Sequence, residues 1–183
     1  SGAPGYEYFQ QRADYDMSVV LDDEKQRIDG SETITYTNNS PDALTYIWLQ
    51  LDQNVRALDS DRGKVRESTM GDKRSFTAAK GYYDAYRFDG GFNIEKVSDA
   101  SGKDLDYTIN KTMMRVELPK SLRSGEKFTF KVDWWYSIQD RMIYGGRSGY
   151  EYFEEDDNYL YTIAQFFPRM ARSEEHTSEL QSH

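Results

Sequence analysis

An apolar alternation of period two recurs along most of this chain, and helical periodicity is almost absent. Successive side chains of a strand point to opposite faces, so this pattern predicts strands with one buried face. Tyr15, Met17, Val19 and Leu21 alternate with Asp16, Ser18 and Val20, which predicts a half-buried strand. Asp22-Asp23-Glu24 then makes a polar turn. In the next strand Ile28, Ile34 and Tyr36 share one parity, and Thr33, Thr35 and Thr37 take the other. Threonine-rich faces suit a pleated surface. Asn38-Asn39-Ser40-Pro41-Asp42 is a strong turn signal. Between Leu44 and Leu51, Tyr46 and Trp48 lie opposite Ile47, Leu49 and Leu51, so we expect a central strand covered on both faces.

The stretch 52–91 is polar and irregular, and too long for a plain loop. A short helix is expected around Asp61–Thr69. Regular strands resume afterwards. Phe92–Asp99 and Lys103–Asn110 flank Ala100-Ser101-Gly102 as a hairpin. Met114, Val116 and Leu118 alternate in a strand that Pro119 is expected to end. Phe128, Phe130, Val132, Trp134 and Tyr136 share one face of a long strand. Tyr144–Tyr150 reads as a glycine-rich loop, and Tyr159–Phe167 as a last strand ended by Pro168. The expected fold is all-β and sandwich-like, with mostly antiparallel sheets and little helix.

Composition bounds the chemistry. Only 37% of the residues are hydrophobic, but 15% are aromatic, which marks a folded domain with a polar surface. A net charge of −9 argues against nucleic acid as partner. No apolar run reaches the length of a membrane-spanning helix. Cysteine is absent, and the two histidines are His176 and His183. Both fall in Arg172–His183, a segment that reads as the one-frame translation of a sequencing-adapter oligonucleotide. We therefore expect a domain at 1–171, a piece of something longer, followed by a non-native tail at 172–183. Without histidine or cysteine, the domain cannot form a Ser-His-Asp triad or a zinc site of imidazole or thiolate type.

The remaining motifs are weak. Gly145-Gly146-Arg147-Ser148-Gly149 lacks the Lys-Ser/Thr of a phosphate loop, and Tyr150 stands where a nucleophile elbow needs glycine. Glu154-Glu155-Asp156-Asp157-Asn158 lacks the spacing and central glycine of a calcium loop and reads as a solvated face. Asp59-x-Asp61-x-Gly63 is equally weak. Trp48, Trp134 and Tyr136 sit at strand parity with other apolar residues, so we expect them in the core rather than stacked on sugars.

Four stretches carry a family resemblance. They are Tyr8-Phe9-Gln10-Gln11-Arg12-Ala13-Asp14-Tyr15; Leu21-Asp22-Asp23 through Gly30-Ser31-Glu32, with Tyr36 to Leu44; Leu118-Pro119 with Leu122 and Gly125-Glu126; and Ala164-Gln165-Phe166-Phe167-Pro168-Arg169-Met170. In this order the chain resembles the N-terminal β-domain of aminopeptidase N-like gluzincin zinc metallopeptidases, bacterial secreted type. The resemblance implies a saddle-shaped, curved all-β domain packed on a separate catalytic domain. That domain would carry zinc through His-Glu-x-x-His, would grip the substrate amine through Gly-x-Met-Glu-Asn, and would act on peptides. Neither motif occurs here, so the expectation for this chain is no catalytic residue and no metal ligand. The resemblance implies a periplasmic or secreted parent, and a substrate-binding role in it for Gln165. The commoner members carry an acidic residue shortly after this glutamine, whereas Phe166, Phe167 and Pro168 follow here. The other reading is a free-standing β-sandwich binding module, for carbohydrate.

Overall fold

The computed structural model describes residues 10–61 and 88–171. Tyr8-Phe9, most of the helix expected at Asp61–Thr69 and the segment 172–183 lie outside the described residues.

Among the described residues, ten strands form two four-stranded sheets and a separate hairpin, and every pairing between these strands is antiparallel. In the first sheet the order is β1 (Arg12–Asp22), β2 (Arg27–Thr37), β7 (Lys127–Ser137), β4 (Asn93–Asp99). The second runs β10 (Arg169–Met170), β3 (Leu44–Gln50), β6 (Met113–Leu122), β5 (Tyr107–Asn110). Strands β8 (Gly149–Phe153) and β9 (Asn158–Thr162) form the separate hairpin, and Tyr150 of β8 also bridges Asp140 in parallel. Among the described residues the one short α-helix, α1 (Arg141–Tyr144), is capped by Asp140, whose side chain accepts from the Met142 and Ile143 amides.

One face of each sheet feeds a single core. Ile28, Ile34, Tyr36, Phe130, Val132, Trp134 and Tyr136 come from the first sheet, and Ile47, Leu49, Met114 and Val116 from the second. These are the residues that period-two parity picks out. Gly30 shares that parity because Trp134 lies over it: a Cβ at Gly30 would stand 2.2 Å from the indole ring. The predicted turn after β2 is held by buried Asn38, whose side-chain amide donates to the Asp42 and Leu122 carbonyls.

Four expectations need correction. Met17, Val19 and Leu21 have the predicted inward parity, but they are 38%, 41% and 44% exposed. Strand β1 is the edge of its sheet, and it is less covered there than the interior strands β2 and β7. Strand β3 is buried on one face only, with Tyr46 exposed on the other and Trp48 half-buried. Pro119 does not end β6; the strand continues to Leu122. The β3–β6 register shifts between the Tyr46–Glu117 and Leu44–Leu122 pairs, so Pro119 falls in an irregularity where a missing N–H is tolerated. Finally, Ala100-Ser101-Gly102 does close a hairpin, with Ser98 bridged antiparallel to Asp104 and the Leu105 amide bonded to the Val97 carbonyl, but the pairing is short and the arms then diverge into β4 of the first sheet and β5 of the second. The turn is local chemistry; the sheet each arm joins is decided by its distant partner.

Candidate functional site

The last strand predicted at Tyr159–Phe167 breaks after Thr162, and the chain then runs irregularly through Ile163–Pro168 before pairing again as β10. Five side chains from elements distant in sequence hold this segment and the start of β10. Gln53, in the short 3-10 turn Asp52–Arg56 after β3, is 2% exposed. Its Nε2 donates to the carbonyls of both Ala164 and Gln165, at 3.0 Å each. Ser148 Oγ accepts the Ala164 amide proton at 3.1 Å. Tyr15 Oη, from β1, accepts the Met170 amide proton at 2.8 Å. Arg169 Nε donates to Asp52 Oδ2 at 2.8 Å, and Arg169 also bonds Gln50. Pro168 is buried, and Phe167 meets the Tyr15 ring edge to face at 5.4 Å.

A second buried glutamine fixes the neighbouring loop. Gln139 follows β7, is 3% exposed, and donates from Nε2 to the Gly145 and Ser148 carbonyls at 2.9 and 2.6 Å. The predicted glycine-rich loop is thus tied down at two carbonyls. Between the two glutamines lies a cavity of about 10 Å³, lined by Gln53, Tyr136, Gln139, Ser148 and Ile163 among others. That is about the smallest space that admits one water molecule. Burial pushes the Tyr136 phenol upward, so it stays protonated at neutral pH.

Gln165 sits at the crest of this arrangement. Its backbone is left-handed, with φ +51. Its side chain is exposed, and no described residue hydrogen-bonds its amide. The structure thus brings Gln165 out to solvent on an anchored segment.

Elsewhere, Glu154–Asp157 form the exposed turn of the β8–β9 hairpin, where Tyr152 Oη donates to Asp157. Four tyrosines, Tyr150, Tyr152, Tyr159 and Tyr161, are cross-strand neighbours on one face of that hairpin. Asp59 and Asp61 line a cleft of about 700 Å³ with Asp89, and Lys111 pairs with Asp61 at 3.3 Å. Among the described residues no three histidine, cysteine or acidic side chains are grouped so as to hold a metal ion.

Sequence reasoning missed three buried polar residues. Glu32 was legible, because it shares the parity of Ile28 and Ile34. Gln53 and Gln139 carried no signal: each is one polar residue in an irregular stretch, and only the fold makes it internal.

No protein-family model matches the chain. No curated protein matches it either. Among solved structures it is similar to an M1 zinc metallopeptidase from Deinococcus radiodurans, at 16% identity and TM-score 0.42, over 72% of this chain and 22% of that one. A mutant of an M1 zinc metallopeptidase from the same organism aligns at 15% identity and TM-score 0.41, over 69% of this chain and 21% of that one. Another structure, of the mutant bound to a Tyr-Ser-Ala substrate, gives 16% identity and TM-score 0.42 over 75% and 23%. The chain spans about a fifth of the length of these structures.

Proposed function

We propose that this chain is the non-catalytic N-terminal β-domain of a zinc aminopeptidase-type metallopeptidase of bacterial secreted type. In this reading it packs on a catalytic domain that lies outside the chain and forms one wall of its cleft. Zinc belongs to that catalytic domain, and the chain itself contributes binding surface rather than reacting groups. The observation that carries the reading is the anchored segment 164–170. It is the stretch whose residues most resemble the family's cleft segment, and four separate elements hold it while the Gln165 amide is left exposed. A side-chain amide both donates and accepts, so it can bond a peptide's polar groups without adding charge.

The test is made in the parent protein, read from genomic DNA beyond Ala171. A frame leading to His-Glu-x-x-His and a protein that releases amino-terminal residues from peptides is the expected result. There, Gln165→Ala should lower kcat/KM by about fivefold, the equivalent of one lost hydrogen bond of about 1 kcal/mol. A stop codon at Ala171, or unchanged kinetics with unchanged folding, refutes the role.

A second reading, a carbohydrate-binding module, draws on the hairpin tyrosines, since Tyr152 and Tyr159 are 46% and 39% exposed. Tryptophan-fluorescence or chemical-shift titration with soluble oligosaccharides separates the two.

A further inference from the structure

The backbone at Gln165 is strained for any residue with a Cβ, because a left-handed φ brings that Cβ toward the following carbonyl. Glycine would adopt the same turn without strain. The chain nevertheless carries a glutamine whose amide bonds no described residue. The turn is held from below: Gln53 gives both of its N–H bonds to the Ala164 and Gln165 carbonyls, the two that flank the Gln165 Cα. The other end of the Gln53 amide accepts from Arg56 Nη1 at 2.8 Å. A guanidinium only donates and carbonyls only accept, so the three contacts fix which end of the amide is oxygen. A carboxylate at position 53 would satisfy Arg56 and repel both carbonyls. An ammonium would do the reverse, and an apolar side chain would satisfy none.

We infer that Gln53 is a positioning residue, one that locks the left-handed turn at Gln165 so that the Gln165 amide is presented in one orientation to the backbone or amino terminus of a bound peptide. This rests on the reading that Gln165 faces substrate. The strain at Gln165, the buried clamp beneath it and the unused amide above it then have one common explanation. Ser148, held by Gln139, supports the same turn from the side through the Ala164 amide.

The test uses the full chain. The three-bond amide–Hα coupling and the Cα and Cβ shifts of Gln165 report its left-handed backbone by NMR. Gln53→Leu should abolish that signature, while Ile47→Val, a core substitution away from the turn, should leave it in place. Gln165→Gly should raise Tm by about 2 °C in the native background, through relief of strain, and should give no rise once Gln53→Leu has freed the turn. If Gln53→Leu does not fold, Gln53→Glu replaces it. Its carboxyl can donate one bond when protonated and none when ionised, so the Gln165 signature should follow its titration. A left-handed signature that persists in Gln53→Leu, or at every pH in Gln53→Glu, overturns the inference, as does an equal gain from Gln165→Gly in both backgrounds. In the parent enzyme, Gln53→Leu and Gln165→Ala should each lower kcat/KM by a similar factor, with no further loss in the double variant. Kinetics that respond to Gln165→Ala but not to Gln53→Leu remove the positioning role alone. Kinetics that respond to neither remove the substrate reading of Gln165 as well.

Discussion

Glu32 offers a quantitative test of the packing. It lies on β2 with Met17 opposite on β1 and Val132 opposite on β7. It is 1% exposed, and neither carboxyl oxygen has a hydrogen-bond partner among the described residues. Burial without compensation raises its pKa from 4.5 to about 8. The folded protein therefore holds this proton more tightly than the unfolded chain does. Stability is then greatest below the unfolded value of 4.5 and falls as pH rises toward 8. By pH 7 the loss amounts to about 3 kcal/mol, from 1.36 kcal/mol per pH unit. Urea denaturation between pH 4 and pH 9, on the native chain and on Glu32→Gln, isolates this contribution. His176, His183 and all other groups are common to both proteins and cancel in the difference. The difference curve should rise in favour of Glu32→Gln across pH 4.5 to 8, and Glu32→Leu should exceed the native chain in stability at pH 8. A pH-independent difference would show that Glu32 is solvated or paired in solution and would refute the packing around it.

Three further outcomes are expected. Gly30→Ala should destabilise by about 1–3 kcal/mol in urea melts, because the new Cβ meets the Trp134 ring at 2.2 Å; Trp134→Phe in the same chain should recover part of the loss. A chain ending at Ala171 has no histidine or cysteine, so calorimetric titration with zinc should show no stoichiometric tight site. Deleting Arg172–His183 should shift Tm by no more than a degree or so, as expected of an exposed tail, and a fall of several degrees would show that the segment packs.

Alternation read the core well because it is a local rule. The inward sets of β2 and β7, including Ile34, Phe130 and Trp134, follow from parity alone, and the turn at Asn38 follows from its turn residues, its buried side-chain amide bonding the Asp42 and Leu122 carbonyls. Parity gives the direction of a side chain but not what covers it. Val19 therefore points inward and is still 41% exposed at the sheet edge. The arms around Gly102 pair beside their turn, as its local chemistry dictates, whereas their division between two sheets further on depends on β7 and β6. At the candidate site, Gln165 was singled out by resemblance, and nothing in its neighbours indicated the left-handed backbone. Gln53 lies 112 residues before it. A hydrogen bond across that separation leaves no periodic trace in one sequence.

The pairing of β2 with β7 has a consequence for the order of folding. These strands match over their full length, from Arg27↔Ser137 to Thr37↔Lys127, and they form the centre of the first sheet. Their partners lie on the order of 100 residues apart, so loop-closure entropy must be overcome before the contact contributes stability. The β1–β2 hairpin, closed by a short turn, can form at once. During synthesis at about 5–20 residues per second it then waits on the order of 5–20 seconds for β7. For that interval β2 presents an unpaired edge and the apolar side chains of Ile28, Ile34 and Tyr36 to solvent. This hairpin is therefore the segment most in need of chaperone protection, and slowing translation between residues 38 and 126 should increase aggregation of the nascent chain.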